Sequence, residues 1–309
     1  MVSSDLYHIK QQFVLGAFLS LSKLELPDST SDDYLPTVLY KARSSIALNE
    51  AKSALSIIPS GSENVALKAV ASLARYVGAT DETKAEAALE ELRDLSVEIE
   101  GEEDVEGSDQ DMDLARLLAG TAFARAGEIE EAIETIGTET EDLESVGLLV
   151  QIYLSINRPD LAKKQFERSK RWAEDDLLLQ SIESTIGLVT GKDNYANSVS
   201  YFTEQLGNPS LSSPYLLTAR GITRILRGEI QEAKSDLDES LEQQPEHAET
   251  EAAYLVAAGL GTSFKHESDE LWRKFASKYP KHPLAQDIAE KSTAFDEFIS
   301  SYVVPPLAA

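Results

Sequence analysis

The 309-residue sequence contains no cysteine. Disulfides, thiolate nucleophiles and cysteine metal sites are excluded together, and a reducing compartment, the cytoplasm, is the expectation. Long apolar runs are also missing. The longest, AAYLVAAGL at 252–260, falls far short of the roughly 20 residues a membrane-spanning helix needs. No basic-then-apolar leader opens the chain, and no Asn-x-Ser/Thr acceptor with x other than proline occurs, so neither secretion nor direct membrane insertion is expected. Positive charge is scarce: 28 Lys and Arg stand against 54 Asp and Glu, a formal net charge of −26. Binding to a phosphate backbone requires clustered cations, so no nucleic acid is expected, and a charged partner should be basic.

Chemistry-bearing constellations are equally thin. The histidines His8, His247, His266 and His282 are scattered with no H-x-x-x-H pair, which leaves a metal without a framework. GLVTGKDN at 187–194 superficially resembles a phosphate loop, but its glycines are one residue too close, and Asp193 stands where Ser or Thr must ligate magnesium. GLG at 259–261 lacks the third glycine of a dinucleotide fingerprint. Adjacent carboxylates abound, as they must in so acidic a chain, and without a pocket or a partner base they do not specify catalysis. No catalytic residue, metal ligand or cofactor site is expected.

What is present is a repeat. With 42% hydrophobic residues the chain can bury a large core. In TARGITRILRGEIQEAKSDLDESLEQQP (218–245), Gly221 lies inside one apolar-periodic run and Gly228 separates it from a second, which Pro245 closes. A glycine within a helix costs about 1 kcal/mol relative to alanine, so Gly221 implies close approach of another backbone. The pattern recurs. Gly120, Gly127, Ala132 and Ile136 have the spacing of Gly221, Gly228, Ala233 and Leu237; so do Val150, Asn157, Ala162 and Phe166, and Ile186, Asp193, Ser198 and Phe202. The turn position always holds a residue tolerant of left-handed backbone, the contact position is always small, and a bulky apolar group follows one turn later. Measured between the small residues, the steps are 30, 36 and 35 residues. Gly120, Ala132, Ala162, Ser198, Gly221 and Ala233 are therefore the expected hairpin-packing positions. Leu217, Gly221, Ala233, Leu237 and Pro245 match the 34-residue tetratricopeptide pattern.

The fold expected is all-α: an α-solenoid of tetratricopeptide-like helix-turn-helix repeats running through residues 1–309 as one domain. Weaker units centre on Gly16 and on Asn49 and Glu50, and residues 283–303 form a capping helix. EIEGEEDVEGSDQDMD (98–113) is too acidic to pack and reads as a disordered loop between helices; it lacks EF-hand spacing. Trp172 and Trp272, late in second helices, read as packing anchors. Solenoids of this kind offer a concave surface lined by first helices. The inward positions are expected to be Leu114, Leu117, Thr121 and Ala124 in one unit and Tyr215, Thr218, Ile222 and Ile225 in another. This lining is too apolar to clamp a carboxylate and suits a permanent protein partner.

Three stretches carry a family resemblance. LYHIKQQFVLGAF near the start, RGEIQEAKSDLDESLEQQPEHAETEAAYLVAAGLG, and YPKHPLAQDIAEKSTAFDEFISSY near the end, with His282-Pro283, Phe295-Asp296 and Tyr302, resemble the epsilon subunit family of coatomer. The resemblance implies a non-catalytic subunit of the COPI vesicle coat. Such a subunit wraps the C-terminal domain of the alpha subunit within the remainder of coatomer and supports Golgi-to-ER retrograde and intra-Golgi transport. Its place would be cytoplasmic and peripheral, on Golgi and COPI-coated vesicle membranes. The acidic run departs from the family pattern. A co-chaperone or other peptide-binding adaptor remains the alternative for a tetratricopeptide array.

Overall fold

The computed structural model describes residues 3–101, 105–191, 194–260 and 265–302. Among them every regular element is an α-helix, and the chain divides into two compact units, Met1–Leu216 and Leu217–Ala309. The first contains α1 (Ser4–Val14), α2 (Phe18–Ser22), α3 (Tyr34–Ala47), α4 (Ala51–Ile57), α5 (Val65–Val77) and α6 (Glu82–Glu100). It continues through α7 (Asp109–Ala126), α8 (Ile129–Ile136), α9 (Leu143–Ser155), α10 (Pro159–Ala173), α11 (Leu177–Thr190) and α12 (Asn194–Leu206). Helix α13 (Pro214–Arg227) begins at the division. The second unit adds α14 (Ile230–Gln243), α15 (Ala248–Leu260), α16 (Lys265–Lys278) and α17 (Pro283–Ser301).

Each hairpin is set by its turn and its contact point. Gly127, Asn157 and Gly228 sit at φ values of 87°, 57° and 80°, and Asn49 at 60°. A left-handed residue there ends the first helix and turns the chain back for the second. Asp193, the remaining turn position, lies outside the described residues. Ala132, Ala162 and Ala233 are wholly buried and Ser198 nearly so; the Ser198 hydroxyl donates to the Ser184 carbonyl at 3.2 Å, which satisfies its one polar group. At Gly120 an added Cβ would lie 2.5 Å from Cγ1 of Ile136, and at Gly221 it would lie 2.9 Å from Cγ of Leu237. In both hairpins, then, the helical glycine admits the bulky group that follows the small residue by one turn.

This contact separates two glycines that composition alone treats alike. Gly120→Ala is expected to destabilise the protein, because a branched side chain at full packing must move to admit the methyl. Gly147 lies mid-way along α9, where an added Cβ would meet Ile182 at an ordinary 3.7 Å. Gly147→Ala is expected to stabilise by about 0.5–1 kcal/mol through helix propensity. Urea denaturation of both variants checks this, and shifts of the same sign would refute the packing assignment.

The helix starts are fixed by side chains that accept otherwise unpaired backbone N–H groups. Asn64 Oδ1 accepts from Ala66 and Leu67, Asp142 from Ser145 and Asp176 from Leu178. The acidic stretch obeys the same rule, against its reading as a disordered loop. Residues 98–100 complete α6 and 109–113 open α7. Ser108 and Asp111 form a reciprocal capping box, Asn64 Nδ2 donates to Asp111, and the Val65 N–H donates to the Glu106 carbonyl. Asp109 and Asp111 fall in the first turn of α7, where the helix dipole favours negative charge. Residues 102–104 lie outside the description.

One long core of buried side chains runs through the first unit, from Val38 to Ile186. The first unit also closes on itself. The Ser213 hydroxyl donates to the Leu15 carbonyl in a buried hydrogen bond, Gln12 Nε2 donates to the Ser210 carbonyl, and Tyr215 lies against Gly16. In the second unit, Leu237, Ala253 and Ala257 form one small core and Ala252, Leu255, Phe275 and Ala285 another.

Candidate partner-binding surfaces

The first-helix residues expected to line a surface do not share one environment. On α7, Leu117 is buried, Leu114 and Ala124 are half-buried against the core, and Thr121 is half-buried with its hydroxyl donating to the Leu117 carbonyl at 2.7 Å. On α13, Tyr215 is 41% exposed, Thr218 is buried, and Ile222 and Ile225 are half-buried against Leu237 and Ala253. Leu117 and Thr218 therefore belong to the interior, not to an open lining. The reason is crowding: α7 touches α5, α6, α8 and α9, so more of its circumference is covered than a single hairpin implies. A rotation of one residue, 100°, moves a position from lining to core. Trp272 packs beside Phe275 with ring centroids 6.3 Å apart; Trp172, by contrast, is 39% exposed.

Thr218 sits in a buried polar knot. Its hydroxyl lies 2.7 Å from that of Thr250 and 3.0 Å from that of Ser240, and Nδ1 of His247 lies 2.7 Å from the Thr250 hydroxyl. Burial pushes the His247 imidazole below its ordinary pKa, so the neutral ring is favoured. His282 caps α17, accepting the Leu284 N–H on Nδ1, and His8 is exposed; the side chain of His266 lies outside the description.

Several arginines are bound internally. Arg93 of α6 binds Glu86 and Glu90 of its own helix together with Glu128 and Glu131, at 2.8 to 3.0 Å, and lies over the Phe123 ring. Arg220 and Arg224 both bind Asp236, which is buried. Arg43 pairs with Glu144 and lies 4.3 Å from the Phe13 ring centroid. A cavity of about 430 Å³ between α5 and α6 is lined by Glu63, Lys68, Glu98 and Glu106 with Val65, Leu95 and Val105. Its lysine is bound to Glu63 at 2.6 Å, and that bond holds the Glu63 carboxyl below its usual range. This is ordinary surface pairing. Among the described residues no group of His, Cys, Asp or Glu is arranged to hold a metal, and no helix is long and apolar enough to cross a membrane.

The sequence reading missed one surface. Beyond its first turn α17 is exposed throughout, with Ile288, Phe295, Phe298, Ile299 and Tyr302 all open to solvent. The signal was present as an apolar stripe of helical period in the helix read above as a cap.

Comparison with known proteins decides the family. The model of the coatomer epsilon subunit family matches residues 2–303. The chain belongs to the coatomer epsilon subunit family. It is 23% identical over 308 residues to the probable coatomer subunit epsilon of Schizosaccharomyces pombe, covering 98% of this chain and 96% of that one. It is 25% identical to coatomer subunit epsilon-1 of Arabidopsis thaliana, covering 96% and 97%. Among solved structures, a tetratricopeptide repeat protein from Parabacteroides merdae aligns with a TM-score of 0.55 at 14% identity, over 82% of this chain and 96% of that one. The APC/C hetero-tetramer Cut9-Hcn1 aligns with a TM-score of 0.56 at 16% identity, over 93% of this chain and 55% of that chain. These likenesses establish an all-α solenoid of the tetratricopeptide class. Membership in the epsilon family makes this a coat subunit of vesicle transport, from a structural family and not a catalytic one.

Proposed function

We propose that this chain is a non-catalytic structural subunit of the COPI coat that holds and stabilises the C-terminal domain of the alpha subunit. In that role it supports Golgi-to-ER retrograde and intra-Golgi transport, on the cytoplasmic side of Golgi and coated-vesicle membranes. The carrying observation is the match of the coatomer epsilon model to residues 2–303. On α13 the state of the arginines favours this reading over a co-chaperone. A carboxylate-gripping adaptor needs free cations on its first helices, whereas Arg220 and Arg224 of α13 are bound to Asp236.

Co-expression with the C-terminal domain of the alpha subunit tests the proposal. An equimolar complex that survives gel filtration and raises the melting temperature of the chain is expected, since a ligand that binds only the folded state stabilises it. Absence of that complex, together with saturable binding of a free acidic peptide tail, would favour the adaptor instead.

A further inference from the structure

Helix α17 begins as part of a core and continues without one. Its first turn is tied down by His282, whose ring lies edge-on to Phe275 at 5.1 Å and whose Nε2 lies 3.2 Å from Glu249. Ala285 is buried among Ala252, Leu255 and Phe275, and Leu284 packs against the same group. At 100° per residue, Ile288, Phe295, Ile299 and Tyr302 continue the face that Leu284 starts, with Phe298 on its edge. Phe295 and Phe298 are each 62% exposed, Ile299 54% and Tyr302 56%. The rings of Phe298 and Tyr302 lie beside each other, 5.8 Å between centroids. Terminal caps of repeat arrays need a polar outer face; this helix turns its aromatic face outward over about 20 Å of length.

The charge around the stripe decides among occupants. Within Pro283–Ser301 the acids are Asp287, Glu290, Asp296 and Glu297 and the one cation is Lys291, a net charge of −3. Lys291 falls on the stripe itself, between Ile288 and Phe295, and is bound to Asp287 at its border. By helical angle, Asp287 and Asp296 border the stripe on opposite sides, and Glu290 and Glu297 occupy the back. A second copy would press acidic border against acidic border, in a chain already at −26. A helix that lies on a membrane carries lysine and arginine on its polar face, the reverse of what is here. A protein helix whose apolar stripe is edged by cations satisfies both the aromatic face and its borders.

We infer that α17 is a docking ridge for a helix of a partner protein, one with an apolar stripe bordered by lysine or arginine. The inference concerns a surface separate from the first-helix residues of α7 and α13 and does not depend on what those residues hold. The test places the photoreactive amino acid benzoylphenylalanine at Phe295 in the full chain, within the assembly purified from cells. Irradiation is expected to cross-link one segment of another protein, amphipathic and rich in lysine or arginine. The Ile288→Ser, Ile299→Ser double variant is expected to lower that yield at least tenfold while leaving circular dichroism and melting temperature unchanged, because both side chains are exposed. Should that variant fail to fold, Asp287→Lys with Asp296→Lys reverses the borders and is expected to lower the yield by a similar factor. A cross-link to a second copy, to lipid, or to an acidic or uncharged segment would overturn the inference. So would the absence of any cross-link, or a yield unmoved by the folded variants.

Discussion

Alanine at Phe123 is expected to lower the unfolding free energy by about 3–5 kcal/mol, the range for emptying a large aromatic site. Phe123 is 1% exposed and is among the largest side chains fully buried in the protein. Its ring lies beneath the Arg93 guanidinium, 5.6 Å from the ring centroid, and that guanidinium draws together carboxylates of α6 with Glu128 and Glu131 at the start of α8. The ring thus belongs to the buried core and supports the charge cluster that ties α6 to the start of α8. Truncation creates a void that the crowded surroundings of α7 close only in part, and it removes the support of Arg93. Phe123→Leu keeps much of the volume and is expected to lose about half as much. Urea denaturation of the two variants measures the difference, and equal losses would show that packing at this site is not what stabilises α7.

Asp236→Ala is expected to cost about 3 kcal/mol, near the lower end of the range for breaking a buried ion pair. The carboxylate is 4% exposed, while the arginines it binds are 15% and 21% exposed and so retain some access to water. Its Oδ1 and Oδ2 accept from Arg220 at 2.7 and 3.0 Å, and Oδ2 accepts also from Arg224 at 2.6 Å. Removing it leaves two guanidinium groups against each other without a counter-charge. The loss comes from stranded charge, not from the intrinsic worth of the pair. Replacing all three residues together, Arg220→Met, Arg224→Met and Asp236→Leu, is therefore expected to recover most of the stability. If the triple variant is as unstable as Asp236→Ala in equilibrium denaturation, the stranded-charge account is wrong.

The hairpins were legible because their requirements are local. A residue such as Asn157 in left-handed backbone, or an alanine such as Ala132 at a helix crossing, is constrained by a few neighbours in sequence. The facing of Leu117 and Thr218 was not legible, since it depends on how many other helices surround α7 or α13, and a hairpin pattern carries no such information. The acidic run misled for another reason. Its composition reads as unpacked, yet charge of that sign is favoured at a helix start, and Ser108 with Asp111 supplies the cap. On α17 the apolar period was readable, but its exposure is a fact of tertiary structure alone.

The hydrogen bond from Ser213 to Leu15 joins residues 198 positions apart. In a stack where each repeat touches only its neighbours, early repeats can complete themselves as they leave the ribosome. Here α1 and α2 can pack at once on α3, but the contact of Leu15 with the far side of their own unit must wait. At roughly 5–20 residues per second, synthesis keeps it waiting about 10–40 s. During that interval the face of α1 that later meets Ser213 is available to chaperones, and a ribosome that stalls before Ser213 releases a product in which that face stays uncovered.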